Sequence, residues 1–261
     1  MPSQPVAVQP WNWGASMALD IVSAQTWPPG ANVPARRARH ASTREFLRAA
    51  ITETYRGRIA LVSSFGTEAA VLLHLVAAVD RATPVLFIDT LKLFPETLRY
   101  RDLLIARLGL SDVRTVQPDA GRIALADPDG DLWRRDPDHC CAIRKVEPLE
   151  RALAGFDAWI NGRKRFQGGS RATLAPIEHA DGRVKLNPLA EWSVEDIDGY
   201  FATHHLPRHL LEADGFTSIG CMTCSAPTLP GEDRRAGRWR GQDKTECGIH
   251  LGWTPPPRGE E

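Results

Sequence analysis

Long hydrophobic runs are missing from these 261 residues: nothing approaches the ~20 consecutive apolar residues that cross a bilayer, so no membrane association is expected. Charge of one sign is missing too. Lys plus Arg total 32 and Asp plus Glu total 32, so no overall field draws the chain to nucleic acid, and any anion site must come from local clustering. The opening residues, MPSQPVAVQPWNWG, have neither the basic nor the apolar segment of a secretory signal, and a cytoplasmic protein is expected. No internal repeat is visible. Cysteine is scarce, with five in all. In a reducing compartment five thiols read as ligands, catalysts or core residues rather than as a disulfide framework.

What is present is a rhythm. Residues 1–41, rich in Pro, Ala and Arg, read as a lead-in that is flexible or partly helical. STREFLRAAITETY then brings a Ser/Thr cap signal and apolar residues at helical spacing. RIALVSS has the pattern of a buried strand, EAAVLLHLVAAVD that of a helix with few exposed positions, and PVLFIDT that of a second buried strand. FPETLRYRDLLIARLG predicts an amphipathic helix with Pro near its start and Gly at its end. DVRTVQP and FDAWINGR supply further strands. Strands alternating with helices over 42–219 predict an α/β fold with a doubly wound, mostly parallel sheet. Residues 220–261, full of Gly, Pro, Arg and Cys, are expected to lie over this domain as a functional arm.

In open α/β sheets ligands bind beyond the carboxyl ends of strands, and three loops there carry chemistry. SSFGTE runs from a strand into a helix; its hydroxyls, backbone N–H groups and the positive end of the helix dipole make an anion cradle. It lacks the glycine and lysine pattern of a Walker loop and the G-x-G-x-x-G of a dinucleotide fold. Asp89 and Thr90, at the next strand end, could meet a ribose or a metal, or Asp89 could simply cap a helix. GRKRFQGGSR gathers Arg163, Lys164, Arg165 and Arg171 around paired glycines. DRRAGRWRGQDK adds Arg234, Arg235, Arg238, Arg240 and Lys244. Either run alone reads as a solvated face. Two such clusters in a neutral protein fit a polyanionic ligand, because the guanidinium fork holds phosphate or sulfate bidentately.

Cys140 and Cys141 are adjacent, and Cα atoms about 3.8 Å apart fall below the roughly 4.4–6.8 Å of an unstrained disulfide. With CMTC (Cys221, Cys224) they make a CC…CxxC set. A single tetrahedral zinc favours two C-x-x-C knuckles, whereas four thiolates can each take one corner of a [4Fe-4S] cluster; the plain alternative is four unrelated core residues. Lys145 stands four residues after Cys141, on one face if the segment is helical. Cys247 is left over. Cationic surroundings would raise its thiolate fraction, which a nucleophile requires, and His250 lies three residues on.

SSFGTEAAVLLH, FIDTLKLFPET, CCAIRKVEPL, CMTC and TECGIH, in this order, resemble the assimilatory sulfonucleotide reductases, and within them the iron–sulfur type acting on adenosine 5′-phosphosulfate. The resemblance spans about Ser42 to His250. It implies an adenine-nucleotide α-hydrolase-like sheet related to the pyrophosphatase-loop enzymes. It implies that Cys247 attacks the substrate's sulfur, that AMP leaves, and that reduced thioredoxin (or glutaredoxin) releases sulfite from an S-sulfocysteine, within assimilatory sulfate reduction. It assigns Cys140, Cys141, Cys221 and Cys224 to a [4Fe-4S] cluster. Ser63, Ser64, Phe65, Gly66, Thr67, Glu68, Asp89 and Thr90 would form the nucleotide pocket, with Arg163 and Arg171 in the basic loop. Lys145, Arg235, Arg238 and His250 would surround the sulfate.

Two departures from the family pattern stand out. Leu91 replaces the usual glycine after Asp-Thr, and the basic loop carries an extra glycine that loosens the match at Arg171. The rival readings are the same chemistry on the 3′-phosphorylated nucleotide, whose dedicated reductases lack the cluster cysteines, a pyrophosphatase-loop tRNA thiolase, and a zinc-binding module. The oligomeric state, a homo-oligomer included, is open.

Overall fold

The computed structural model describes residues 33–180 and 182–250. Its sheet comprises β1 (Ile59–Ser63), β2 (Val85–Ile88), β3 (Val113–Val116), β4 (Ala158–Ile160), β5 (Ile177–Ala180) and β6 (Arg183–Leu186), in the order β3-β2-β1-β4-β6-β5. Neighbours are parallel except for the β5–β6 hairpin. Helices α1 (Val33–Ala49), α2 (Ala69–Ala77), α3 (Pro95–Leu108), α4 (Ala120–Ala126), α5 (Leu132–Arg135), α6 (Pro137–Cys141), α7 (Glu147–Ala152) and α8 (Val194–Thr203) complete the framework. This is the expected doubly wound α/β architecture. Among the described residues no helix is long and apolar enough to cross a membrane.

The alternation of side chains along β1 explains why its sequence is apolar throughout. Ile59 and Leu61 join one cluster with Leu47 of α1, Leu73 of α2, Leu104 of α3 and Phe201 of α8. Ala60 points the other way, into a second cluster with Trp159 of β4 and Leu149 of α7. A parallel sheet covered on both faces needs near-continuous apolar strands. Helix α2 is apolar almost all round for the same reason, with Ala70, Val71, Leu72, Leu73, Leu75, Val76 and Ala77 all buried.

Local signals are obeyed in α3 and overridden in α1. Pro95 is in the first turn of α3, and Gly109 ends it in the left-handed conformation at φ 65°, where a side chain would be strained. The Ser/Thr cap expected at residue 42 is not used. Helix α1 begins at Val33, so Ser42 and Thr43 lie inside it, and the Thr43 hydroxyl instead accepts the indole N–H of Trp192 at 2.9 Å. Burial of that pair across 149 residues outweighs a local cap. Helix α8 is capped locally: Ser193 Oγ accepts the Asp196 N–H while the Asp196 carboxylate accepts the Ser193 N–H. Asp196 also pairs with Arg39 of α1 at 2.8 Å.

From Gly220 onward the chain forms no helix longer than a single turn in the described residues. One isolated bridge, Leu93 with Cys221, ties it to the rest of the fold, and a second, Ser225 with Arg238, closes within the arm.

Candidate active site

β1 and β4 are sheet neighbours whose chains lead away in opposite directions, β1 towards β2 and β3, β4 towards β6. The crevice beyond the carboxyl ends of such a pair is where ligands bind in doubly wound sheets. A cavity of about 230 Å³ lies there, floored by the β1–α2 turn and roofed by the arm.

Ser63, Ser64, Gly66, Thr67 and Glu68 line this cavity, and Phe65 does not. Phe65 turns inward in the left-handed region at φ 49°, is fully buried, and meets the Phe87 ring edge-on at 5.3 Å. Its role is to anchor the turn, with Ser63 Oγ accepting the Phe65 N–H at 3.2 Å. Asp89 is also outside the cavity wall. Its carboxylate accepts the Leu91 N–H and the Gln117 side-chain N–H, each at 3.0 Å, so it shapes the turn that follows β2. Leu91 is held at φ 60° there, a conformation glycine takes freely. Thr90 does reach the cavity, with its hydroxyl 3.1 Å from Cys221 Sγ.

The basic residues separate into those that are paired and those that are not. Lys164 and Arg234 both grip Glu68, at 2.8 and 3.1 Å. Burial pushes the Glu68 carboxyl up, but Lys164 more than offsets this and holds it below the usual range. Arg163 pairs with Glu178 and reaches Asn161 and Asn187. Arg171 forks onto Glu246, and Arg235 touches the same carboxylate at 3.4 Å. Burial of Glu246 would raise its pKa; the Arg171 hydrogen bonds outweigh that and pull it to about 2. Arg165, Arg240 and Lys244 bind Glu191, Glu232 and Asp138 and do not line the cavity. Lys145 and Arg238 face the cavity without forming an ion pair among the described residues. Arg238 lies so close over Gly220 that an added Cβ there would sit 2.2 Å from its guanidinium.

All four paired-motif cysteines are free and buried, at 5–8% exposure. Cys140 and Cys141 close helix α6 rather than opening a helix, and a wide π turn, Ala142–Val146, carries Lys145 onward. Cys140 lies within electrostatic reach of Cys221 and Cys224, and burial lifts its thiol to about 11. Lys145 is surrounded by Cys221, Cys247 and Cys141, which together hold its ammonium charged in spite of burial. No three His, Cys, Asp or Glu side chains among the described residues stand close enough to hold one metal ion.

Cys247 is half-buried in the cavity wall. The neighbouring Cys141 thiol favours the Cys247 thiolate, and Lys145 and the Ile249 N–H add to the effect, so Cys247 is the more acidic of the pair and Cys141 the less. The segment is pinned from below. Ile249 packs into the apolar cluster with Trp159, and the His250 ring stacks on Trp159 at 5.9 Å and 9°. Burial, with Arg163 and Arg171 nearby, keeps His250 neutral, and its Nδ1 is buried without a hydrogen-bond partner.

The structure thus brings together Cys247, His250, Lys145, Arg163, Arg171, Arg235, Arg238 and the β1–α2 turn. Among the residues that sequence reasoning passed over is Glu246. The signal was available, as one acid shortly after the second arginine cluster and directly before the cysteine.

An adenine-nucleotide α-hydrolase-like fold with a cysteine in its ligand crevice defines the class. FMN adenylyltransferase from Candida glabrata shares the fold, with a TM-score of 0.52 at 19% identity over 76% of this chain and 69% of that one. A phosphoadenylyl-sulfate reductase structure from Candida auris is nearer, with a TM-score of 0.60 at 25% identity, covering 74% of this chain and 97% of that one. Residues 58–227 match the phosphoadenosine phosphosulfate reductase domain, and the chain belongs to that family. An adenosine 5′-phosphosulfate reductase of Mesorhizobium japonicum is 48% identical over 81% of this chain and 84% of its own length. A phosphoadenosine 5′-phosphosulfate reductase of Gloeobacter violaceus is 41% identical over 74% and 83%. The chain is therefore a sulfonucleotide reductase.

Proposed function

We propose that this enzyme reduces adenosine 5′-phosphosulfate to sulfite and AMP, with Cys247 as the nucleophile. The observation that carries the reading is the seat of Cys247: a cysteine favoured as thiolate, in the nucleotide crevice, beside the otherwise unpaired cations Lys145 and Arg238. The Cys247 thiolate attacks the sulfur of the phosphosulfate. A sulfur–sulfur bond forms, the bond from sulfur to the bridging oxygen breaks, and its electron pair leaves on the phosphate of AMP. Fixed cations stabilise the charge that develops on the departing oxygens. A thiol of reduced thioredoxin then attacks Cys247 Sγ and expels sulfite, and the second thiol of that dithiol resolves the mixed disulfide, so the two electrons come from thiol exchange.

Cys140, Cys141, Cys221 and Cys224 would hold a [4Fe-4S] cluster. Four buried, unbridged thiols from two segments, with Cys140 in electrostatic reach of Cys221 and Cys224, suit a group whose four corners can each take one thiolate. When bound, the cluster would supply structural hold and local electrostatics. With Cys141 engaged there, Lys145 and the Ile249 N–H remain to favour the Cys247 thiolate.

Intact-protein mass spectrometry after mixing with adenosine 5′-phosphosulfate and no reductant tests the reading. A gain of one SO₃ on Cys247, absent in Cys247→Ser, is the expected result. Sulfite production by Cys247→Ser would overturn it. Turnover compared between this nucleotide and its 3′-phosphorylated form decides between the two names carried by the relatives.

A further inference from the structure

We propose, on the functional reading above, that Glu246 is a positioning residue whose carboxylate, clamped by the arginines opposite, fixes the backbone of Cys247 and so aims its thiol at the substrate. Five hydrogen bonds converge on three consecutive residues. Arg171 Nε and Nη2 donate to the two Glu246 oxygens at 2.5 and 2.8 Å. Arg235 donates to the Glu246 carboxylate at 3.4 Å and to the Thr245 carbonyl at 3.2 Å. The Cys247 N–H donates to Glu246 Oε1 at 2.9 Å. Glu246 and Arg171 are both buried, at 5% and 8% exposure, and Arg171 is itself braced by Gln167 Oε1.

Regular structure cannot do this job here. Only a single 3₁₀ turn, Gly248–His250, follows Cys247, and no strand pairing reaches it among the described residues. The arm must take its position from side chains, and a buried bidentate pair is the most directional contact available. Arg171 belongs to the loop between β4 and β5, so the clamp ties the nucleophile's backbone to the sheet side of the cavity. A carboxylate that only neutralised arginine charge would have no need to accept the next residue's N–H.

The test uses full-length, iron-loaded protein at equal iron content. Glu246→Gln keeps the shape and presents an amide N–H₂ to the guanidinium where an oxygen stood. At saturating nucleotide it should slow single-turnover SO₃ transfer to Cys247 by about 30-fold, while AMP affinity changes less than about threefold. It should also speed tryptic cleavage after the exposed Arg240 and alkylation of Cys247 by iodoacetamide. Glu246→Asp, one methylene short, should fall between the two.

Wild-type transfer with unchanged cleavage would overturn the proposal. Equal losses in AMP affinity and transfer would overturn it as well, by making Glu246 part of the nucleotide pocket. Arg171→Lys, which keeps the charge and removes the fork, tests the same clamp if the glutamine variant does not fold. If wild-type protein gains no SO₃, the functional reading falls, and cleavage and alkylation rates still decide whether Glu246 holds the segment.

Discussion

The two walls of the cavity are built by different physics. The sheet wall, β1 with its turn into α2, rests on fully buried apolar side chains such as Leu61, Leu73, Phe65 and Phe87. The arm wall, from Gly220 to His250, has a small apolar cluster of Cys221, Cys224 and Trp239 and is otherwise held by charge: Arg171 with Glu246, Arg234 with Glu68, Lys244 with Asp138. Burial is non-directional and tolerant, so it gives a wall that stands without ligand. Ion pairs are directional and exchangeable, which would suit a segment that, on the proposed mechanism, faces a nucleotide first and a protein dithiol afterwards. On the proposed mechanism the fixed wall binds and the charged wall reacts.

The comparison is broken most severely through the arm's thiols. Cys224→Ala should abolish iron retention, with loss of absorption near 400 nm and of sulfite production, while the far-ultraviolet circular dichroism of the α/β core persists. A colourless wild-type protein would refute the cluster. On the other wall, Leu75→Ala removes a side chain only 2% exposed and outside the cavity lining and should destabilise the fold by about 2–5 kcal/mol in urea unfolding. Single-turnover transfer below the melting temperature should change little. If it falls as far as in Glu246→Gln, the two walls are not separable.

Acid should reach the walls at different pH. His74 packs beside Tyr200 and His204 in the helical layer, and burial holds its pKa near 4, below the ordinary 6.5. The unfolded chain therefore binds that proton first, so this layer loses stability as pH falls from about 6.5 towards 4. Glu246, held at about 2 in the folded protein, contributes stability above the ordinary carboxyl range that is lost only as pH falls from about 4 towards 2. Thermal unfolding from pH 7 to 5 should fall in wild type and less in His74→Gln, while Glu246→Gln follows wild type. The smallest effect is expected from Glu232→Gln. It and its partner Arg240 are both partly exposed, so the melting temperature should hardly shift, with only a modest rise in tryptic cleavage of the arm.

Several features were legible because they are local. Pro95 and Gly109 mark the ends of α3 through backbone preferences that act over one turn, and the apolar runs of β1 and β2 announce burial on both faces. The paired cysteines were legible as thiols, and the fold buries all four unbridged; the cluster they would hold belongs to the proposal. The β5–β6 hairpin was not read, although Gly182, at φ 71° just before β6, belongs in the sequence to an Asp-Gly dipeptide of the kind that favours tight turns. The Ser/Thr cap at residue 42 misled because Thr43 spends its hydroxyl on Trp192, a partner that only folding supplies. Phe65 and Asp89 carry the right types at strand ends, yet one faces the core and the other the turn.

By itself the amino-acid order determined the class of fold, the five sulfurs and the two arginine clusters beside glycines, because composition, period and spacing are properties of the chain. The tertiary structure decided which cations are spent on carboxylates and which remain for a ligand. It also decided that Glu246 grips Arg171 and the backbone of Cys247 at once. Pairing across 75 residues depends on where two loops meet, and no local preference encodes that meeting.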